Sequence, residues 1–207
     1  MTVSTGLVIL IVVVAVVGLA ILLIFNRMIS RRNAVENSWA QIEAALKRRH
    51  DLIPNLVESV KGYAKHERAT FENVTEARAK AEAAGGPEQA AAAEGTLAGA
   101  IGRLMAVAEQ YPDLRATENF QQLQAQLSET EDQIQVTRRV YNDTVQTYNT
   151  LIQIFPPSLI ASAFNFEPKA FYDAPTEAEA TPEVSFEQGE GAPAAETGGT
   201  EAGAEKK

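Results

Sequence analysis

An uninterrupted apolar run near the N-terminus constrains this chain more than any other feature. The run begins at Leu7 and ends at Phe25, 19 residues with no charge and no strong hydrogen-bonding side chain. As a helix it would measure about 28 Å, close to the hydrocarbon thickness of about 30 Å in a bilayer. In lipid the backbone must satisfy its own hydrogen bonds, which enforces a helix. The run therefore predicts a transmembrane helix over 7–26, preceded by a short segment, 1–6.

The residues on either side of the run distinguish a retained anchor from a cleaved signal peptide. A signal peptide has a basic segment before a shorter apolar core and a small-residue cleavage site after it. Here no Lys or Arg precedes the run, and Arg27, Arg31 and Arg32 follow it. We therefore expect a retained single-pass anchor. By the positive-inside rule, the N-terminus is predicted to lie outside and the C-terminal domain in the cytoplasm.

Charge and composition divide the rest of the chain into a body and a tail. The sequence has 18 basic and 27 acidic residues, and residues 173–207 hold nine of the acids and two of the lysines. The remaining 16 basic and 18 acidic residues give no large basic field for binding nucleic acid. The lack of cysteine excludes disulfides, thiolate metal sites and thiol nucleophiles. Residues 167–207 are predicted to form a disordered, acidic solvating tail rich in Pro, Ala, Gly and Glu, with an interaction tail as the alternative.

Apolar side chains recur at alternating steps of four and three after the anchor, which is the period of a helical seam. The predicted first soluble helix covers 33–83, continuous with the anchor, and ends before the Gly-Gly-Pro sequence at 85–87. Pro54 removes a backbone donor to the His50 carbonyl, but the seam keeps its phase on both sides. A kinked helix is therefore favoured over two separate helices. The seam positions are Val35, Trp39, Ile42, Leu46, Arg49, Ile53, Leu56, Val60 and Tyr63, with Phe71 and Val74 following after a one-residue slip.

Two more long helices and a short one are predicted from the same periodicity. The second covers 88–110, and the third covers about 117–155. Pro112 is one candidate start for this third helix, and Thr117 is an alternative N-cap for a later start. A short helix within 159–166 follows two prolines. Short connections favour an all-α, antiparallel up-and-down bundle of three long helices plus the short one, over 27–166, with no sheet. Three seam positions seven apart are threonines, which we expect to be satisfied by backbone carbonyls rather than to form a partner-selecting polar seam: Thr130, Thr137 and Thr144.

The charged turn at 47–51 contains the candidate binding residues, Arg48, Arg49 and Asp51, which could hold an anion or a lipid headgroup. A solvated helix face with local ion pairs is the favoured alternative. Arg49 falls on the apolar seam and needs a partner, for which Asp143 or Glu131 of the third helix is predicted. If the role of Arg49 is structural only, Arg49→Met is expected to preserve or raise stability.

The remaining polar and aromatic candidates point to structure rather than chemistry. His50 and His66 lie about 24 Å apart along one helix, so they are not expected to share a metal, and each is expected at the surface or an edge. Trp39 lies too far beyond the anchor for an interfacial belt and is predicted to be core. Tyr141 and Tyr148 are also predicted core, with Asn142 and Asn149 beside them bonding across helices. No catalytic, cofactor or metal motif is recognised.

The ordered sequence strings resemble the LemA family of bacterial membrane proteins. The resemblance covers roughly 27–172 and implies a single N-terminal anchor, an antiparallel helical bundle, and no settled biochemical activity. Some family members are associated with internal membrane organelles. The sequence departs from the family at Asn165, where a glycine is usual. The matching strings are NSWAQI at 37–42, LKRRHDLIPNLV at 46–57, VKGYAKHE at 60–67, VTEAR at 74–78, EQYPDLRA at 109–116, ENF at 118–120, RRVYND at 138–143, YN at 148–149 and FP at 155–156.

These observations predict a membrane-anchored helical scaffold or adaptor in the bacterial cell membrane. Its cytoplasmic bundle would present a face to a protein partner or to another copy of the chain. The alternative is a protein that binds anionic lipid or shapes the membrane, and an enzyme with an unrecognised site is a weaker third. No cofactor, nucleic acid or small-molecule substrate is implied.

Overall fold

The computed structural model describes residues 4–172, and this part of the chain is built from helices without a strand. The first helix, α1, runs through Thr5–Lys61 for 57 residues, about 85 Å at the helical rise. It is continuous from the predicted anchor into the bundle, as expected. Large apolar side chains from Leu7 to Leu23 are exposed, and α1 is the one helix among the described residues that is long and apolar enough to cross a membrane.

The predicted single helix over 33–83 is wrong, because the chain forms two helices there. The first continues through Pro54 and ends at Lys61, and the second, α2, runs through Arg68–Ala83. The break therefore lies at 62–67, beyond the proline. The one-residue slip in the seam marks this turn, since α2 folds back on α1 to bury its own apolar face.

The remaining helices follow the predicted order. The third, α3, spans Pro87–Ala108, and a single turn, α4, spans Pro112–Arg115. The fifth, α5, spans Glu118–Gln153, and the short α6 spans Pro157–Ala163. Both predicted starts for the third helix are used, since Pro112 opens α4 and Thr117 precedes α5.

The helices pack antiparallel around two cores. On α1, Trp39 faces Tyr141 of α5 and Arg49 faces Glu131, so residue numbers rise along one helix as they fall along the other. The core near the membrane joins α1 to α5 and α6, whereas the distal core joins the end of α1 to α2, α3 and the start of α5. The membrane-proximal core includes Met28, Val35, Ile42, Ile134, Tyr141, Val145 and Tyr148. The distal core includes Ile53, Leu56, Val60, Val74, Leu97, Leu104 and Phe120.

The three seam threonines are satisfied by their own helix, as expected. Thr130 is fully buried, and its hydroxyl donates to the Gln126 carbonyl at 2.7 Å. Thr137 and Thr144 are partly exposed and donate to carbonyls one turn back at 3.0 Å and 2.7 Å. Nothing in these contacts selects a partner helix.

The chain after α6 turns back along α5 and forms a docked segment, residues 164–172. Asn165 makes the corner with a φ of 53°, in the left-handed region that asparagine tolerates better than most side chains. Glycine, which is usual at this position in the LemA family, adopts the same positive φ without a steric cost. The first residues of the predicted tail, 167–172, therefore pack against the bundle, and 173–207 lie outside the described residues.

Candidate functional site

The three candidate binding residues lie on different sides of α1. Arg49 is buried, with 8% of its surface exposed, whereas Arg48 and Asp51 are exposed. Arg48 Nη2 lies 3.8 Å from a Glu129 carboxylate oxygen, and Lys47 Nζ lies 3.0 Å from Asp51 Oδ2. Successive helix positions are about 100° apart, so one turn cannot direct all three side chains to one ligand.

Arg49 joins α1 to two other helices inside the bundle. Its Nη1 atom lies 3.2 Å from Glu131 Oε2 on α5 and 3.5 Å from Glu94 Oε2 on α3. Of the two predicted partners, Glu131 makes the pair, and the exposed Asp143 does not. Glu94 was not predicted. The sequence signal for it lies in the seam of the second helix, because Glu94 is one three-residue step before Leu97.

His50 is buried, and its prediction as a surface or edge residue is wrong. Its Nε2 atom lies 2.5 Å from Glu94 Oε1, and 6% of the residue is exposed. The burial comes from α2 and α3, which fold back over this side of α1. His66 is exposed, as predicted. Within residues 4–172, no group of three or more His, Asp or Glu side chains is arranged to hold a metal ion.

The Pro54 position has a consequence one turn earlier on α1. Because proline has no N–H, the His50 carbonyl lacks its usual helical donor. The Arg78 Nε–H of α2 donates to this carbonyl at 2.9 Å. Pro54 thus makes the His50 carbonyl available as an acceptor. Through this carbonyl, Arg78 joins α2 to α1.

A small cleft of about 170 Å³ opens beside the buried charges. The buried Arg49 and Glu94 are among the residues that line it, together with Glu131, Arg138 and Tyr172. Burial raises the pKa of Tyr172 to about 12, and the Glu94 carboxylate adds to the rise. Arg49 pairs with Glu94 and Glu131, and the Arg138 Nε–H donates to the Tyr172 carbonyl at 3.1 Å. The charged groups of the cleft therefore join helices and the docked segment to one another.

The docked segment is held by a repeated Tyr-Asn pair on α5. The Asn149 amide donates to the Lys169 carbonyl at 2.9 Å and accepts from the Lys169 N–H at 2.8 Å. One heptad earlier, Asn142 makes the same two contacts with Tyr172, at 3.3 Å and 2.9 Å. Both asparagines were predicted to bond across helices, but these contacts bind an extended segment.

The tyrosines beside these asparagines complete the contact. Tyr141 donates its hydroxyl to the Ala170 carbonyl at 2.8 Å, and Tyr148 donates to the Glu167 carbonyl at 3.0 Å. Both are buried core residues, as predicted. Trp39 is half-buried against this core, with its ring centroid 5.5 Å from that of Tyr141 and 6.0 Å from that of Tyr172.

The fold and these contacts define a helical, membrane-associated protein. An apolar N-terminal helix leads into a bundle, and buried charges and a docked segment hold that bundle together. Residues 38–186 match the LemA family, so the chain belongs to that family.

Several known proteins are similar to this chain over most of its length. Protein LemA of Metamycoplasma hominis is 28% identical over 153 residues, covering 72% of this chain and 68% of the relative. Magnetosome protein MamQ 2 of Paramagnetospirillum magneticum is 27% identical over 178 residues, covering 73% and 65%. Magnetosome protein MamQ of Magnetospirillum gryphiswaldense is 25% identical over 173 residues, covering 71% and 64%. The alignments thus span about two thirds of the length of these relatives.

Proposed function

We propose that the protein is a membrane-anchored helical scaffold whose bundle presents the outer face of α3 to a helix of another chain. The other chain is a protein partner or a second copy of this one. The proposal includes no catalytic step, because the charged groups in the interior are engaged with one another. The relatives named above, Protein LemA and the magnetosome proteins MamQ, have names that describe no reaction.

The observation that supports this proposal is the composition of the outer face of α3. Gly95, Gly99 and Gly102 are exposed, and a Cβ atom added at any of them would meet nothing within 4 Å. They lie on the opposite side of the helix from the buried Leu97 and Leu104.

These glycines have a cost that the single bundle does not explain. Glycine inside a helix is less favourable than alanine by roughly 0.5–1 kcal/mol per residue. No packing contact within residues 4–172 requires glycine at these positions, since the space around each one is open. A face without side chains lets the backbone of a second helix approach closely, because the distance between packed helices depends on the side chains between them.

Site-specific photo-cross-linking in intact cells tests the scaffold role. A photoreactive residue at Thr96, on the edge of this face, is expected to give a covalent adduct with another chain. Gly99→Leu should abolish the adduct by filling the face, while Ala125→Leu, an exposed small-to-large change on α5, should leave it intact. An adduct that persists in Gly99→Leu, or no adduct from Thr96, contradicts the proposal.

We also propose that the bundle is cytoplasmic. Arg27, Arg31 and Arg32 follow the apolar run and no basic residue precedes it, which supports this orientation. A reporter that is active only outside the cytoplasm, fused after Lys207, should be inactive. An active fusion would reverse the orientation without affecting the proposed role of α3.

A further inference from the structure

Beyond the anchor, exposed large apolar side chains concentrate at one end of the bundle. Among residues 4–172, the exposed large apolar side chains outside the anchor are Tyr63, Val136, Val140, Ile154, Phe155, Leu159 and Phe164. Of the last four, Ile154 and Phe155 lie in the connection between α5 and α6, Leu159 lies on α6, and Phe164 begins the docked segment. We call this group the foot. Its exposed fractions are 49% for Ile154, 78% for Phe155, 65% for Leu159 and 58% for Phe164.

The foot lies beside the end of the apolar run of α1. Phe25 is the last residue of that run, and its ring centroid lies 5.0 Å from that of Phe164 and 5.8 Å from that of Phe166. Since α5 runs antiparallel to α1, its C-terminal end returns to the level at which the anchor leaves the bilayer. The exposed apolar surface of the foot is therefore continuous with the lipid-facing surface of the anchor.

The charges around the foot match a membrane surface. Residues 144–166 contain no charged side chain. On α1, Arg27 and Arg31 are exposed and form no ion pair within the described part of the chain, and the Arg32 guanidinium lies 5.6 Å from the Phe166 ring centroid. An apolar surface flanked by arginines is the arrangement by which interfacial helices bind the headgroup region.

We propose that Ile154, Phe155, Leu159 and Phe164 form a lipid-contacting foot that inserts into the bilayer interface beside the membrane-spanning helix. The bilayer is the occupant because the neighbouring surface of α1 is already apolar, exposed and long enough to span it. Phe and Leu are among the side chains that interfacial helices bury at the boundary between headgroups and acyl chains. The foot gives the bundle a second attachment, which fixes its orientation relative to the membrane.

Spin labelling of the full-length chain in liposomes tests the foot directly. The sequence has no cysteine, so single-cysteine variants carry the label at one position only. Phe155→Cys and Leu159→Cys place the label in the foot. Leu22→Cys, at an anchor position that is 61% exposed, reports lipid, and Val136→Cys, at a 59% exposed position on α5, reports water. Vesicles of phosphatidylcholine and phosphatidylglycerol supply a neutral and an anionic headgroup, and collision rates are measured with oxygen and with a water-soluble nickel chelate.

The expected result is a ratio of oxygen to nickel collisions at positions 155 and 159 that is several-fold higher than at 136 and approaches that at 22. Ratios equal to that at 136 would place the foot in water and overturn the proposal. Protection of both foot labels from both reagents would indicate a protein contact instead and would also overturn it. The Leu22→Cys label reports anchor insertion separately, and the cross-linking at α3 is independent of all four labels.

Discussion

At the scale of single residues, the buried carboxylate of Glu94 changes how the role of Arg49 is interpreted. The helical period alone directs Arg49 inward, and Asp143 or Glu131 of the third predicted helix was the expected partner. Arg49→Met was expected to preserve or raise stability if the role of Arg49 is structural only. The buried Glu94 leads us to expect a loss of stability instead, because Arg49→Met would leave Glu94 buried with only His50 beside it.

Removal of Glu94 should be among the most destabilising single changes in the bundle. Glu94→Ala leaves Arg49 with only the half-exposed Glu131 and leaves His50 without its partner. Breaking a buried pair from one side costs about 3–5 kcal/mol. The free energy of unfolding of the full chain in detergent, followed by helical circular dichroism in urea, measures the loss.

Glu129→Ala is the matched control for Glu94→Ala. Its carboxylate faces Arg48 at 3.8 Å, and both side chains are at least half exposed. Exposed pairs contribute less than about 1 kcal/mol. Equal losses in the two variants would show that the buried network does not stabilise the bundle.

Pro54 and Arg78 should be energetically coupled through the His50 carbonyl. Arg78→Ala leaves this carbonyl unpaired, which costs about 1–3 kcal/mol. In the Pro54→Ala background the new N–H can donate to the same carbonyl, so the cost of Arg78→Ala should fall by about 1 kcal/mol or more. A double-mutant cycle of urea unfolding measures the difference.

Glu82→Ala separates this effect from the other contact of Arg78. Arg78 Nη2 lies 2.7 Å from Glu82 Oε1, one turn along α2. Because this change does not touch the His50 carbonyl, its cost should be the same with Pro54 or Ala at position 54. Additive costs for Pro54→Ala and Arg78→Ala would show that the carbonyl is satisfied in another way.

At the scale of elements, helix existence was predictable and helix ends were less so. The seam over 35–60 identifies α1, and the Gly-Gly-Pro sequence at 85–87 correctly separates α2 from α3. Pro54 was the expected place for a distortion, yet the helix ends at Lys61. Tertiary packing decides where the helix ends, because α2 makes its apolar contacts only by folding back. The local sequence does not indicate these contacts.

The docked segment was not predictable from periodicity, because an extended strip without alternating apolar residues resembles a tail. The Tyr-Asn repeat on α5 was visible, but the sequence does not say what it binds. Asn149→Ala should remove both contacts to Lys169 and increase amide hydrogen exchange at Lys169 by about five- to tenfold, since a net hydrogen bond contributes about 1 kcal/mol. Asn73→Ala, at an exposed asparagine on α2, should leave that exchange unchanged. Equal exchange in both variants would contradict the role of Asn149.

Alkaline pH should loosen the docked segment before it unfolds the distal helices. Burial raises the pKa of Tyr141 from 10.0 to about 12 in the folded chain. Between these values the unfolded chain has lost the phenolic proton and the folded chain keeps it, so stability is present below pH 10.0 and falls as pH rises towards about 12. Tyr141→Phe should reduce the slope of unfolding free energy against pH in this range. The exposed Tyr63→Phe should not change it, and identical slopes would show that Tyr141 does not contribute.

At the scale of the whole molecule, one continuous helix links the bilayer to two cores of different character. The distal core depends on α2, α3 and the last turns of α1. The proximal core reaches down to Met28, which is fully buried only three residues after the apolar run ends. The membrane anchor and the bundle are therefore not separable at the predicted boundary between 26 and 27, because the same helix supplies side chains to both.

Shortening the chain should consequently damage one core and spare the other. A chain beginning at residue 33 lacks Met28 and Phe25, so Phe166 and the rest of the docked segment lose packing partners. Hydrogen exchange should accelerate at the amides of the proximal core, including Tyr148, while those of Leu97 and Val74 stay protected. A chain beginning at residue 24 restores both missing residues and should restore protection at Tyr148. If the shorter chain exchanges uniformly faster throughout, the two cores unfold as one unit and α1 transmits the loss of its membrane end along the entire bundle.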